Sequence, residues 1–119
     1  DRSDQDTFAP VIGSAIHQHN LQTATLNDNT SSFTATPIAY DIDREFAINI
    51  KYLITRDTAR RNGTLQITGT STSVDYIDNF IENSATGVTF FVTTGGVVQY
   101  KTTSTGNNAT FKYQIESIV

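Results

Sequence analysis

From Phe46 to Thr55 the chain alternates without a break. Phe46, Ile48, Ile50, Tyr52 and Ile54 fall on one side, and Ala47, Asn49, Lys51, Leu53 and Thr55 on the other. A period of two over ten residues is a strand with one face on a core. The same grammar closes the chain, where Phe111, Tyr113 and Ile115 alternate with Thr110, Lys112, Gln114 and Glu116. Half-buried strands of this kind need a second layer over their apolar face. The pattern predicts an all-β fold: an antiparallel, jelly-roll-like β-sandwich of seven or eight strands.

The remaining strands are bounded by turn residues. Residues 21–26 form a strand that ends in the turn cluster Asn27-Asp28-Asn29-Thr30. Phe33 to Tyr40 is a strand carrying Pro37, which has no N–H for a ladder and so marks an edge or a bulge. Asp41 to Glu45 is a connector. Asp57 to Gly63 reads as a turn, with Asn62-Gly63 its strongest signal, followed by a strand over 64–70. Residues 73–81 fit helical spacing through Val74, Ile77, Phe80 and Ile81, and strand spacing through Tyr76, Asp78 and Phe80; the all-β surroundings favour a strand.

Gly87 to Thr94 and Val97 to Thr103 form a hairpin around Gly95-Gly96, whose freedom at positive φ suits a two-residue turn. With Thr94 opposite Val97, Phe91 faces Tyr100, and both hairpin faces carry large apolar groups. One face then packs in the sandwich and the other meets a neighbouring element or subunit. Residues 21–119 are read as the sandwich domain and residues 1–20, polar but for Phe8, Val11, Ile12 and Ile16, as a lead-in.

Composition limits what such a domain does. A chain of 119 residues holds one core, and 37% apolar content is lean enough to favour oligomerisation. Threonine, with 20 copies, supplies β-branched side chains that tolerate a wet face. There is no cysteine, hence no disulfide and no thiol chemistry. The first residue is Asp1 rather than Met, which predicts an excised fragment or a processed chain. The formal charge of −4 argues against a nucleic-acid footprint. No apolar run reaches the length of a membrane span, and no signal-peptide pattern is present.

Motifs that carry chemistry are few. His17-Gln18-His19 places two imidazoles on one side of an extended segment, a candidate metal pair that three symmetry-related copies would complete to six ligands. Asp41, Asp43 and Glu45 offer hard oxygens for Ca²⁺ but lack the EF-hand pattern. Asp75, Asp78 and Glu82 are acidic, yet nothing marks one as buried and another as solvated, as a glycosidase pair requires. The nucleophile-elbow, P-loop and zinc-protease motifs are missing, so the expectation is a non-enzyme with no cofactor. Arg56, Arg60 and Arg61 form the one basic cluster, read as a solvated loop able to meet an anionic glycan. Of the five tyrosines, Tyr76 and Tyr100 are the candidates for stacking on sugar, since Tyr52 and Tyr113 sit in core alternation.

Three stretches carry a resemblance. The first is Phe46-Ala-Ile-Asn-Ile-Lys-Tyr-Leu-Ile-Thr-Arg56 leading to Arg61-Asn-Gly-Thr-Leu-Gln-Ile67. The second is Gly87-Val-Thr-Phe90 with Val98-Gln-Tyr-Lys-Thr-Thr-Ser104, and the third is Ala109-Thr-Phe-Lys-Tyr-Gln-Ile115. This succession resembles the small all-β domains at the tips of bacteriophage tail and head fibres. The resemblance covers about residues 33–117. It implies a knob displayed on the virion, usually trimeric, that attaches to host cell-surface glycan or protein. It also implies that residues 1–20 connect to a shaft or to other virion proteins. It transfers no site residues. The competing reading is a monomeric, non-catalytic carbohydrate-binding module of a polysaccharide-active protein.

Overall fold

The computed structural model describes residues 16–18, 20–41, 47–70 and 72–118, the first three by their backbone. These residues form nine strands and no helix: β1 Ile16–Gln18, β2 Gln22–Leu26, β3 Thr34–Ala39, β4 Ala47–Arg56, β5 Ala59–Thr70, β6 Ser73–Glu82, β7 Val88–Val92, β8 Val97–Thr102 and β9 Ala109–Ile118. All pairings are antiparallel.

The larger sheet runs β9-β4-β5-β6, and β1 and β2 share the outer edge of β9 as one interrupted strand. The smaller sheet runs β3-β8-β7. The chain is thus an antiparallel β-sandwich. It follows jelly-roll order where β3 lies beside β8 while β2, β9 and β4 lie together in the opposite layer. It then departs into a simple β4-β5-β6 meander. β1 belongs to the large sheet although its residues fall inside the expected lead-in of residues 1–20.

The long alternating strand does what its period demands. Ile48, Ile50, Tyr52 and Ile54 are all buried, while Lys51 and Leu53 point to the outer face; Phe46 lies outside the described residues. Beside it on β9, Phe111 and Tyr113 are buried opposite Ile54 and Tyr52. Phe90 descends from the small sheet onto this floor, its ring centroid 5.5 Å from Tyr52 and 5.3 Å from Phe111. Offset and edge-on aromatic pairs of this kind add to the burial that joins the layers. Leu26, Ile38, Leu65, Ile67, Val88, Val92, Val98 and Tyr100 complete the core. Pro37 sits on β3, an edge strand whose register shifts between Ala35 and Ala39, as a missing N–H requires.

Two expectations are corrected by packing. Asn62-Gly63 is not a turn. The turn is Asp57-Thr58, with Asp57 at φ 55°, and β5 runs straight through Gly63. The glycine is needed for space rather than for a bend: a Cβ there would lie 2.7 Å from the Tyr52 ring and from Phe80 Cβ. The second correction concerns the 87–103 hairpin, which closes through Thr93 N–H donating to the Val97 carbonyl at 3.0 Å, with Gly96 at φ 90° ending the loop. Phe90, not Phe91, therefore faces Tyr100. A shift of one residue exchanges the faces of β7 relative to β8. Val88, Phe90, Val92, Val98 and Tyr100 all go inward, and the outer face keeps Thr89, Phe91, Gln99 and Lys101. The large apolar groups of the hairpin therefore gather on its inner face, and Phe91 is the large one that stays outside. The most exposed large apolar side chains are instead Ile81 (74%), Leu21 (65%) and Ile77 (55%), Ile77 and Ile81 standing on the outer face of β6.

Candidate functional site

The basic cluster does not form a solvated loop. Arg56 continues the Ile48–Ile54 alternation by one more step and so points inward, where it is buried. Its guanidinium donates to the carbonyls of Thr86 (2.9 Å), Thr103 (2.6 Å) and Asn107 (2.9 Å) and to Asp28 Oδ1 (2.5 Å). One side chain thus ties together the three loops that close this end of the sandwich. The Asp28 carboxylate also accepts from the N–H groups of Thr105 and Gly106. Those amides, ahead of the arginine, hold the Asp28 carboxyl below its ordinary pKa.

Arg61, on the inward face of β5, is equally buried. It donates to Glu82 Oε2 (2.8 Å), to Asp78 Oδ2 (3.5 Å) and to the Val88 carbonyl (2.8 Å), and lies 3.9 Å from the Phe80 ring centroid. Two of the three expected glycan-facing arginines are therefore spent on the chain's own backbone and carboxylates. Of the cluster only Arg60 is exposed, and its guanidinium donates to the carbonyls of Asp57 and Ala59.

The acidic residues of β6 divide by face. Asp75 is exposed on the outer side, whereas Asp78 and Glu82 turn inward to Arg61. Burial pushes the Asp78 carboxyl up, against the pull of the Tyr52 hydroxyl and Arg61. Burial also acts on Glu82, but the Thr86 hydroxyl (2.6 Å), Arg61 and the Thr86 amide outweigh it and bring its pKa down. Tyr52 donates to Asp78 Oδ1 at 2.5 Å, and burial together with that carboxylate pushes its phenol up. The set locks β4, β5 and β6 to the loop before β7.

Among the tyrosines, Tyr100 is buried and its hydroxyl accepts from the Asn27 amide at 3.2 Å, so its ring offers no surface to a sugar. Tyr76 is exposed, as expected of a stacking residue, and it has company. Phe91 stands between Tyr76 (centroids 6.2 Å apart, edge-on) and Phe33 (5.2 Å). Phe33, Tyr76 and Phe91 are each close to 40% exposed. Lys101 Nζ lies 4.6 Å from the Phe33 centroid. Phe91 and Lys101 come from the outer face of the small sheet, Phe33 from the approach to β3, and Tyr76 reaches in from β6 beyond the small sheet's edge. Sequence reasoning missed Phe33, Phe91 and Lys101. The signal was the doubled Phe90-Phe91, of which a one-faced strand can bury only one.

Two hollows flank this group, one bordered by Lys101 and the other by Tyr76. One, of 230 Å³, is lined by Thr30, Ser31, Gly87, Thr89, Lys101, Thr102 and Thr103. The other, of 380 Å³, lies against β4, β5 and β6 and includes Asn49, Gln66, Asp75, Tyr76 and Ile77. No group of three or more metal-ligating side chains occurs among the described residues. His19, Asp43 and Glu45 lie outside those residues, and of His17 only the backbone, paired with Ser117, is described. No helix of the described residues is long and apolar enough to cross a membrane.

No protein-family model and no curated protein matches this chain. Among solved structures it is similar to the tailspike protein of Acinetobacter baumannii bacteriophage Fri1, described as a capsular polysaccharide depolymerase. The TM-score is 0.56 and the identity 15%, over 87% of this chain and 18% of the tailspike. The chain therefore corresponds to less than a fifth of that protein's length and shares with it the fold of one domain-sized portion.

Proposed function

We propose that this chain is a structural domain of a bacteriophage virion appendage, a fibre or spike tip that mediates attachment to the host cell surface. The observation that carries the reading is the shared fold with a portion of a phage tailspike. The strand succession that resembles fibre-tip domains supports it independently. The domain is non-catalytic on this reading: Asp78 and Glu82, the two inward carboxylates of β6, are both engaged by Arg61 and serve the fold. Recognition falls to the exposed aromatics Phe33, Tyr76 and Phe91, whose faces suit the apolar side of a pyranose ring. The domain works as a homotrimer, with Ile77 and Ile81 on β6 as the surface that a sister copy covers.

The test is light scattering on purified protein, joined to binding of fluorescently labelled protein to encapsulated and capsule-free bacteria. A trimer that stains cells supports the proposal, and Ile81→Asp then shifts the mass toward monomer. A protein that stains none of the cells overturns it. A monomer that still binds polysaccharide favours the second reading, a carbohydrate-binding module. That alternative draws support from the same likeness, since the matched portion belongs to a polysaccharide depolymerase.

A further inference from the structure

We infer that the outer face of the small sheet is a subsite for an acidic pyranose, a uronate or similar carboxylated sugar, with Lys101 as the residue that selects for the acid. The inference rests on the attachment reading above and names the ligand class it leaves open. Phe91 and Phe33 form an aromatic step, extended by Tyr76. Single exposed rings are ordinary, but exposed rings in contact with one another form a contiguous apolar patch of the kind that marks a contact surface. The occupant follows from what surrounds the step. Lys101 stands over Phe33 at one end, and no carboxylate of the described residues pairs with it. The hollow beside it draws its lining from hydroxyl side chains, among them Ser31 and Thr89, rather than from aliphatic ones. The Thr30 and Thr102 hydroxyls already donate to the Asn27 carbonyl, but an apolar partner protein would leave those of Ser31 and Thr89, and the ammonium, without bonds. A sugar presents C–H groups to the rings, hydroxyls to the threonines and, if acidic, a carboxylate to the lysine. The outer face of the large sheet lacks this combination: Asp75 borders one of its hollows, and the other, at Lys51 and Lys112, is flanked by Leu21 and Leu53 with no exposed aromatic ring.

The experiment is a ¹⁵N NMR titration of the whole chain with methyl glucuronide and, in parallel, methyl glucoside. The two differ only in the carboxylate, and weak binding suffices for the readout. Glucuronide is expected to shift the amides of Thr89, Phe91 and Lys101, with saturation at least tenfold tighter than for glucoside. Lys101→Gln is expected to erase that preference while leaving the glucoside shifts in place, and Phe91→Ala to remove both. Both substitutions are on the outer face, and the unperturbed remainder of each spectrum reports that the fold persists. Equal response to the two sugars, shifts located elsewhere, or a preference that survives Lys101→Gln overturns the inference while cell attachment stands. Silence toward both sugars also overturns it. A wild-type protein that attaches to no cell instead overturns the attachment reading itself.

Discussion

The two faces of the β7–β8 hairpin are one residue apart in sequence and opposite in role. Phe90 goes inward and joins Tyr52 and Phe111, while Phe91 goes outward and meets only Phe33 and Tyr76 at the surface. Chemically the two are the same residue. The inner ring is enclosed by both sheets, so it is buried and its removal leaves a cavity. The outer ring leans on two other exposed rings, so its area remains available to a ligand. A doubled aromatic in a half-buried strand thus divides its labour between folding and contact.

Substituting each in turn is the sharpest way to break that comparison. Phe90→Ala is expected to cost about 3–5 kcal/mol, since it deletes the ring that bridges the sheets. Phe91→Ala is expected to stay within about 1 kcal/mol, as for surface positions. Urea unfolding of both variants gives the numbers, and equal losses would refute the division. The arginines allow a parallel contrast. Arg56→Ala removes the bonds that join three loops and leaves the buried Thr86 carbonyl without its guanidinium donor, a loss of about 3 kcal/mol. Arg60→Ala, at an exposed position of β5, is expected to change stability by no more than about 0.5 kcal/mol. Between these extremes lies Gly63→Ala, expected to cost about 1–3 kcal/mol. The new methyl must displace the buried Tyr52 ring. If Gly63 were instead a turn glycine, the variant would alter the β4–β5 register and thereby the amide spectrum of both strands.

Acid sharpens the comparison between the two ion-pair sites. The folded Asp28 and Glu82 carboxyls lie below their ordinary values of 3.8 and 4.5. Their stabilisation is therefore complete above those values and is lost as pH falls through the lower, folded ones. Asp78 has the opposite sign: its folded pKa is raised above 3.8, so the fold takes up its proton first and gains relative stability as pH falls through that raised value. Asp28→Asn is expected to flatten the acid limb of a stability–pH curve, and Asp78→Asn to steepen it. Unfolding midpoints measured from pH 6 to pH 2 check both slopes.

The legible part of the fold was the part governed by period. The strands containing Ile50 and Phe111 were readable because alternation at period two survives in any sheet that buries one face, and Pro37 marked its edge strand for a backbone reason. Gly63 was misread because Asn-Gly is a turn signal only where nothing packs above it, and the Tyr52 ring and Phe80 Cβ do. The arginines were misread because local sequence cannot distinguish a charge beside a turn from one that continues an inward face. Arg56 did carry a clue, since it falls on the next inward position after Ile54. For the exposed aromatic step the sequence showed the ingredients, Phe33, Tyr76, Phe91 and Lys101, scattered over 69 positions. Nothing local brings them together.

By itself, then, the sequence determined that this chain is all-β, where most of its strands lie and which residues of the long strands face a core. These follow from dihedral preference and alternation, which act within a few residues. Only the tertiary structure decided the one-residue hairpin register, the burial of Arg56 and Arg61, and the meeting of Phe33, Phe91 and Tyr76. Each depends on which distant side chain fills the space opposite, and that is set by packing two sheets together rather than by any short-range propensity.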